Sequence, residues 1–152
     1  MIIPFFIPHA GCPHQCVFCN QKSISGAREA PDSSSIPDTI LAHLKSFRGD
    51  TPVSVAFFGG SFTALPVAIQ RQYLETVRPF LDKGSVQGIR ISTRPDCISR
   101  EILDFLASYR VQTIELGVQS MRDAVLQRSR RGHTAYHTKA ALSLLKEYGF
   151  TT

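Results

Sequence analysis

Four short apolar runs, each followed by a segment with helical periodicity, constrain this chain more than any other feature. The runs are Ile2 to Ile7, Val53 to Phe58, Gly88 to Thr93 and Thr113 to Gln119. Strand then helix, repeated in this way, predicts an α/β fold with a parallel sheet and right-handed crossovers. Ser35 or a neighbour is expected to cap a helix whose Ile40, Leu41, Leu44 and Phe47 form one apolar stripe, ended by Arg48-Gly49-Asp50. Pro66 suits the first turn of the next helix, where Ile69, Tyr73, Val77 and Phe80 follow at helical spacing. Ser99 can cap a third, carrying Ile102, Leu103, Leu106 and Tyr109. A last helical region from about Arg122 to Tyr148 should divide near Arg131-Gly132-His133, with Gly149 as its C-cap. Gln21 to Ser35, rich in Ser, Gly, Pro and Asp, reads as a loop.

Alternation within the strands indicates a barrel wall. In the third run Ile89 and Ile91 point one way, Arg90 and Ser92 the other. In the fourth, Ile114, Leu116 and Val118 oppose Glu115, Gly117 and Gln119. The apolar set can pack under helices while the other lines a polar interior. The chain has 152 residues, whereas a full barrel normally needs about 200 or more. Its last residues, Phe150-Thr151-Thr152, fall where a fifth strand would begin. The expectation is one domain over residues 1–152, the N-terminal part of a longer barrel. Ligands of parallel sheets collect at the carboxyl ends of the strands. A cysteine-rich loop, Gly59-Gly60-Ser61, Thr93-Arg94-Pro95-Asp96 and Gln119-Ser120 all fall at that rim.

Composition narrows the class. Charged residues are only 19% of the chain, which argues against a disordered or coiled-coil protein. No apolar run approaches the roughly 18 residues of a membrane helix, and the N-terminus lacks the pattern of a signal peptide. Cysteines without export signals imply reduced thiols or ligands, hence the cytoplasm. The net charge of +5 is compatible with RNA or another anionic partner, although Lys and Arg are scattered.

The chemistry centres on Cys12-Pro13-His14-Gln15-Cys16-Val17-Phe18-Cys19. Thiolates are soft ligands that select zinc, copper(I) or iron–sulfur centres. Four-iron clusters usually take four cysteines. Three would leave one iron without a cysteine, and an open coordination position is what makes a metal site catalytic. Two other readings stand beside this one. A structural zinc site could recruit His14 or His9 as fourth ligand, although no second cysteine pair follows. Cys16 and Cys19 could instead form a C-x-x-C redox pair.

The C-x-x-x-C-x-x-C loop after a first strand, with Phe18 before the last cysteine, resembles the radical S-adenosylmethionine (SAM) superfamily. Phe57-Phe58-Gly59-Gly60-Ser61-Phe62-Thr63-Ala64-Leu65-Pro66, Ser92-Thr93-Arg94-Pro95-Asp96, Glu115-Leu116-Gly117-Val118-Gln119-Ser120 and Arg131-Gly132-His133-Thr134 look like the Elongator catalytic-subunit branch. Oxygen-independent coproporphyrinogen oxidases share the same features more distantly. The resemblance implies a partial (β/α)6 barrel, of which this chain supplies about four units. It implies that Cys12, Cys16 and Cys19 hold three irons of a [4Fe–4S] cluster. The fourth iron would chelate SAM, whose reductive cleavage yields a 5′-deoxyadenosyl radical. Gly59, Gly60 and Ser61 match the motif that meets the methionine amine, Gln119 a ribose or methionine contact, and Phe18 an adenine contact. Ser92 occupies a cofactor-contact position where many relatives carry glutamate. Arg131, selected over Arg130 by the Arg-Gly-His pattern, matches an arginine that pairs with the methionine carboxylate. A flavodoxin- or ferredoxin-type electron donor and a substrate such as tRNA are implied partners. The alternative is a non-enzymatic zinc- or RNA-binding module using the same loop. Arg94 and Asp96 are expected to form a local turn, and His133 and His137 to be structural.

Overall fold

The computed structural model describes all residues except Lys22, Ile24, Ser25, Ala27 and Arg28. Strands β1 (Ile2–Ile7), β2 (Ser54–Gly59), β3 (Gly88–Thr93) and β4 (Val111–Leu116) form one sheet in that order. Every pair is parallel. Helices α1 (Ile36–Ser46), α2 (Val67–Asp82) and α3 (Arg100–Ser108) join successive strands, and α4 (Asp123–Arg128) and α5 (Ala135–Glu147) follow β4. After α5 the chain returns to the sheet. Thr151 bridges β4 in parallel, its N–H donating to the Gln112 carbonyl and its own carbonyl accepting from Ile114, both at 2.9 Å. That is where the sequence placed a fifth strand.

Register builds the core on one face only. Phe5 lies opposite Phe57, Phe57 opposite Ile91, and Ile91 opposite Ile114. These side chains pack against Ile40, Leu74, Val77, Leu103, Leu106 and Leu145 from the helices. Phe57 sits at the centre, its ring 5.3 to 5.8 Å from those of Phe5, Phe62 and Tyr73. The opposite face carries Phe6 beside Phe58 and Ser92 beside Glu115. Arg90 donates to Glu115 at 2.7 Å, and the Ser92 hydroxyl donates to the other carboxylate oxygen at 3.3 Å. The alternation expected of a barrel wall is therefore present, polar on the inside of β3 and β4 and apolar beneath the helices.

Several boundaries differ from the sequence reading. β2 runs one residue later than Val53 to Phe58, because Val53 pairs outside the ladder: its N–H takes the Gln87 amide oxygen and its carbonyl the Gln87 N–H. β4 is earlier than Thr113 to Gln119. The last rung is Gly117 N–H to the Thr93 carbonyl, after which Val118 and Ser120 bond back two residues in tight turns. In α1, Ile36 and Ile40 are the buried residues and Leu41 is exposed. Leu41 follows Ile40 by 100° of helix rotation and so leaves the buried stripe. α1 ends at Ser46 with Phe47 already extended, ahead of Arg48-Gly49-Asp50. Ser35 makes no capping bond; Asp32 instead accepts from Ser34 N–H at 3.1 Å at the start of a 3₁₀ turn. Within the expected loop Gln21 to Ser35, Gln21 and Ser23 are helical, and part of that loop lies outside the described residues. Ser99 caps α3 by accepting from Ile102, as expected.

Candidate active site

The cysteine loop leaves β1 and folds back across the end of β2. Gly60 N–H and Ala10 N–H both donate to the Ile7 carbonyl, at 3.1 and 3.2 Å, and Ser61 N–H donates to the Ala10 carbonyl at 2.8 Å. Gly59 has φ +97°, a left-handed conformation that favours glycine. At Gly60 a side chain has no room: a Cβ would run into the Ala10 carbonyl oxygen, with the Ala10 carbonyl carbon and nitrogen each 2.9 Å away. Gly60 is thus required by the backbone of the cysteine loop itself, and Gly59 by its own left-handed conformation beside Ile7. On the loop's far side Val17 N–H donates to the Ser129 carbonyl at 3.1 Å, tying it to the end of α4.

A cavity of about 280 Å³ opens at the carboxyl ends of the strands. Cys12, Cys16 and Cys19 all border it, with Phe18, Gly59, Gly60, Ser92, Gln119 and Arg131. Ser61 does not. Its side chain is buried behind the wall, with its hydroxyl 2.9 Å from the Thr93 hydroxyl and 3.3 Å from Arg94 N–H, which donates to it. Gln119 takes φ +64°, a strained conformation for a residue with a Cβ, and this turns the chain at the cavity rim. Glu115 also faces the cavity and had no assigned role. Its signal was its place in the polar set of the fourth strand.

Two guanidinium groups are buried under the loop. Arg94 is 1% exposed and pairs with Asp96 at 2.9 Å, within the local 3₁₀ turn Pro95–Cys97. Arg131 donates from Nη1 to the Cys16 sulfur at 3.4 Å and from Nη2 to the Gly117 carbonyl at 2.5 Å. Arg130, its neighbour, is exposed, so burial selects Arg131. Burial pushes the Cys12 thiol up, Arg94 and Arg131 pull it down, and Cys19 and Cys16 add to the rise. Burial would raise the Asp96 carboxyl as well, but the hydrogen bond and charge of Arg94 hold it below the usual range.

His133 is buried next to this network. Its Nε2–H donates to the Val118 carbonyl at 3.2 Å and its Nδ1 lies 3.9 Å from Asp96. His137 serves the capping box of α5, accepting from Thr134 N–H at 3.1 Å. Burial, then the charge of Arg131, lowers the His133 pKa from its ordinary 6.5. The unfolded chain therefore binds a proton near that pH which the folded chain refuses. Stability is full above about pH 6.5 and declines as pH falls toward the folded value. Urea denaturation across pH 5 to 8 should show this decline, and His133→Asn should flatten it.

The residues at hand suit a thiolate-held cluster. Arg131 is buried and pairs with no carboxylate among the described residues. An unpaired buried charge is costly, and an anionic group among the three thiols would offset it. A four-iron cluster binds each thiolate to a different iron, and the three loop thiols border one cavity.

Comparison with known proteins agrees. Residues 6–152 match the family described as the Radical SAM superfamily. The chain belongs to that superfamily. It is 32% identical over 123 residues to protein YhcC of Escherichia coli K12, covering 78% of this chain and 38% of that protein. It is 21% identical to the tRNA uridine(34) acetyltransferase of Dehalococcoides mccartyi, covering 91% of this chain and 37% of the relative. The solved archaeal Methanocaldococcus infernus Elp3 superposes with a TM-score of 0.67 at 19% identity, over 98% of this chain and 35% of that one. These matches agree with the Elongator-like resemblance and with the open, parallel (β/α) barrel. The chain spans well under half the length of the relatives it matches. No helix among the described residues is long and apolar enough to cross a membrane.

Proposed function

We propose that this domain is a radical SAM enzyme unit that holds a [4Fe–4S] cluster through Cys12, Cys16 and Cys19. The observation that carries the proposal is the meeting of the three thiols with Gly59, Gly60, Gln119 and Arg131 around one cavity at the strand ends. When bound, the cluster would supply one electron to cleave SAM and start hydrogen abstraction from a substrate. The chain's own residues supply position and shielding. The Gly59-Gly60 turn brings backbone, free of side chains, to the cavity edge. Arg131 borders the cavity with a guanidinium, whose charge suits a carboxylate such as that of the methionyl group. Phe18, half exposed at the cavity edge, offers a ring and backbone to adenine. Gln119 offers its amide to the ribose or methionyl group, and Ser92 a hydroxyl to the cofactor. Ser61, with its hydroxyl committed to Thr93 and Arg94, supports the turn from behind.

A relative named as a tRNA uridine(34) acetyltransferase, with a net charge of +5 here, supports tRNA as the substrate. A flavodoxin- or ferredoxin-type protein would donate the electron, in the cytoplasm. Anaerobic reconstitution with iron and sulfide should load about four irons per chain, with charge-transfer absorption and release of 5′-deoxyadenosine from SAM on reduction. Tight zinc binding with no uptake of iron would overturn the proposal and favour a structural module. tRNA affinity that falls steeply with added salt would support the RNA substrate.

A further inference from the structure

We propose that Arg131 hydrogen-bonds the sulfur of Cys16 when that sulfur ligates the cluster, and that this bond raises the cluster's midpoint potential. The inference rests on the iron–sulfur reading above and gives Arg131 a duty separate from binding the methionyl carboxylate. Three observations carry it. The Nη1–Sγ separation is 3.4 Å, with Arg131 and Cys16 each only 8% exposed. The second nitrogen is fixed on the Gly117 carbonyl at 2.5 Å, where β4 has just ended. A guanidinium is planar with its donors in a rigid fork, so anchoring Nη2 aims Nη1 at the sulfur. The third is charge. Arg94, the other buried guanidinium, has Asp96 at 2.9 Å, whereas Arg131 has no carboxylate partner among the described residues. Of its two protein partners, the Gly117 carbonyl and the Cys16 sulfur, only the sulfur can carry a negative charge.

Reduction adds one electron to the cluster and concentrates negative charge on its sulfurs. A buried cationic N–H donor stabilises the reduced form more than the oxidised form, and hydrogen bonds to sulfur are among the levers that set cluster potentials. The Nε–H of Arg131 has no protein partner. It is enclosed by protein, so a carboxylate would be met by the second hydrogens of the two Nη atoms, and the two duties do not compete. Arg131 also joins the cysteine loop to the β4 exit, which makes it a positioning residue for Cys16.

The test is a redox titration of the anaerobically reconstituted protein, followed by electron paramagnetic resonance without SAM. Arg131→Met loses charge and donor, whereas Arg131→Gln keeps an N–H donor without charge. The midpoint potential should shift to more negative values in the glutamine variant and further in the methionine variant. If the methionine variant takes up no cluster, Arg131→Gln and Arg131→Lys carry the comparison. Potentials equal to that of the Arg131 protein overturn the inference. An unaltered chain that loads no iron overturns the iron–sulfur reading itself, whereas a loaded cluster indifferent to residue 131 overturns only the role given to Arg131.

Discussion

Cys16→Ser should abolish cluster assembly while leaving the fold standing. Cys16 is the most buried of the three loop thiols and accepts the Arg131 hydrogen bond. Serine preserves its shape within one atom but replaces a soft ligand with a hard, weakly acidic hydroxyl, which iron–sulfur clusters rarely use. The packed core lies between the sheet and the helices and does not include the loop cysteines. The unfolding midpoint in urea should therefore change little for the apo-protein, while charge-transfer absorption disappears and iron content drops to background. SAM cleavage should vanish with it. Cys97→Ser is the matched control. Cys97 lies on a different cavity, bordered by Val67, Ile98 and Phe105, and its loss should leave iron content unchanged. Full iron loading in Cys16→Ser, or equal loss in Cys97→Ser, would remove the cysteine loop from its proposed role.

Gly60→Ala should be the most damaging single-methyl change at the rim. The added Cβ would meet the Ala10 carbonyl oxygen, with two more Ala10 backbone atoms at 2.9 Å. Backbone on both sides cannot rotate away as a side chain can. Either the cysteine loop lifts or the β2 turn distorts, and the Ser61-to-Ala10 hydrogen bond at 2.8 Å is the first to go. Overpacking of this kind costs ~1–3 kcal/mol. The stability loss should appear as a lower urea midpoint. The larger effect should be functional, because the displaced loop carries the thiols: iron per chain after reconstitution should fall along with stability. A variant that is destabilised yet loads iron normally would show that loop and turn are not coupled as described.

Much of this site could be read from residue order because its parts are local. The cysteine spacing, the Gly59-Gly60 turn and Gln119 each sit at the end of a strand recognisable by its own apolar run. Parallel strands carry all such ends to one rim. The helix cap at Ser99, the left-handed Gly149 just after the Tyr148 cap of α5, and the break near Arg131-Gly132-His133 follow from short-range backbone preferences in the same way. Ser61 and Leu41 show the limit. Their roles depend on which neighbours arrive from distant segments: Thr93 and Arg94 reach the Ser61 hydroxyl across more than thirty residues, at 2.9 and 3.3 Å.

The amino-acid order determined the βα repeat, the polar-in and apolar-out strands and the clustering of three thiols, because these depend on periodicity and spacing along the chain. Only the tertiary structure decided that Arg131, not Arg130, turns inward, that Gly60 yields its side-chain space to Ala10, and that a guanidinium reaches the Cys16 sulfur. Those outcomes depend on distances between atoms 50 to 115 positions apart in sequence, which the folded packing alone brings to contact.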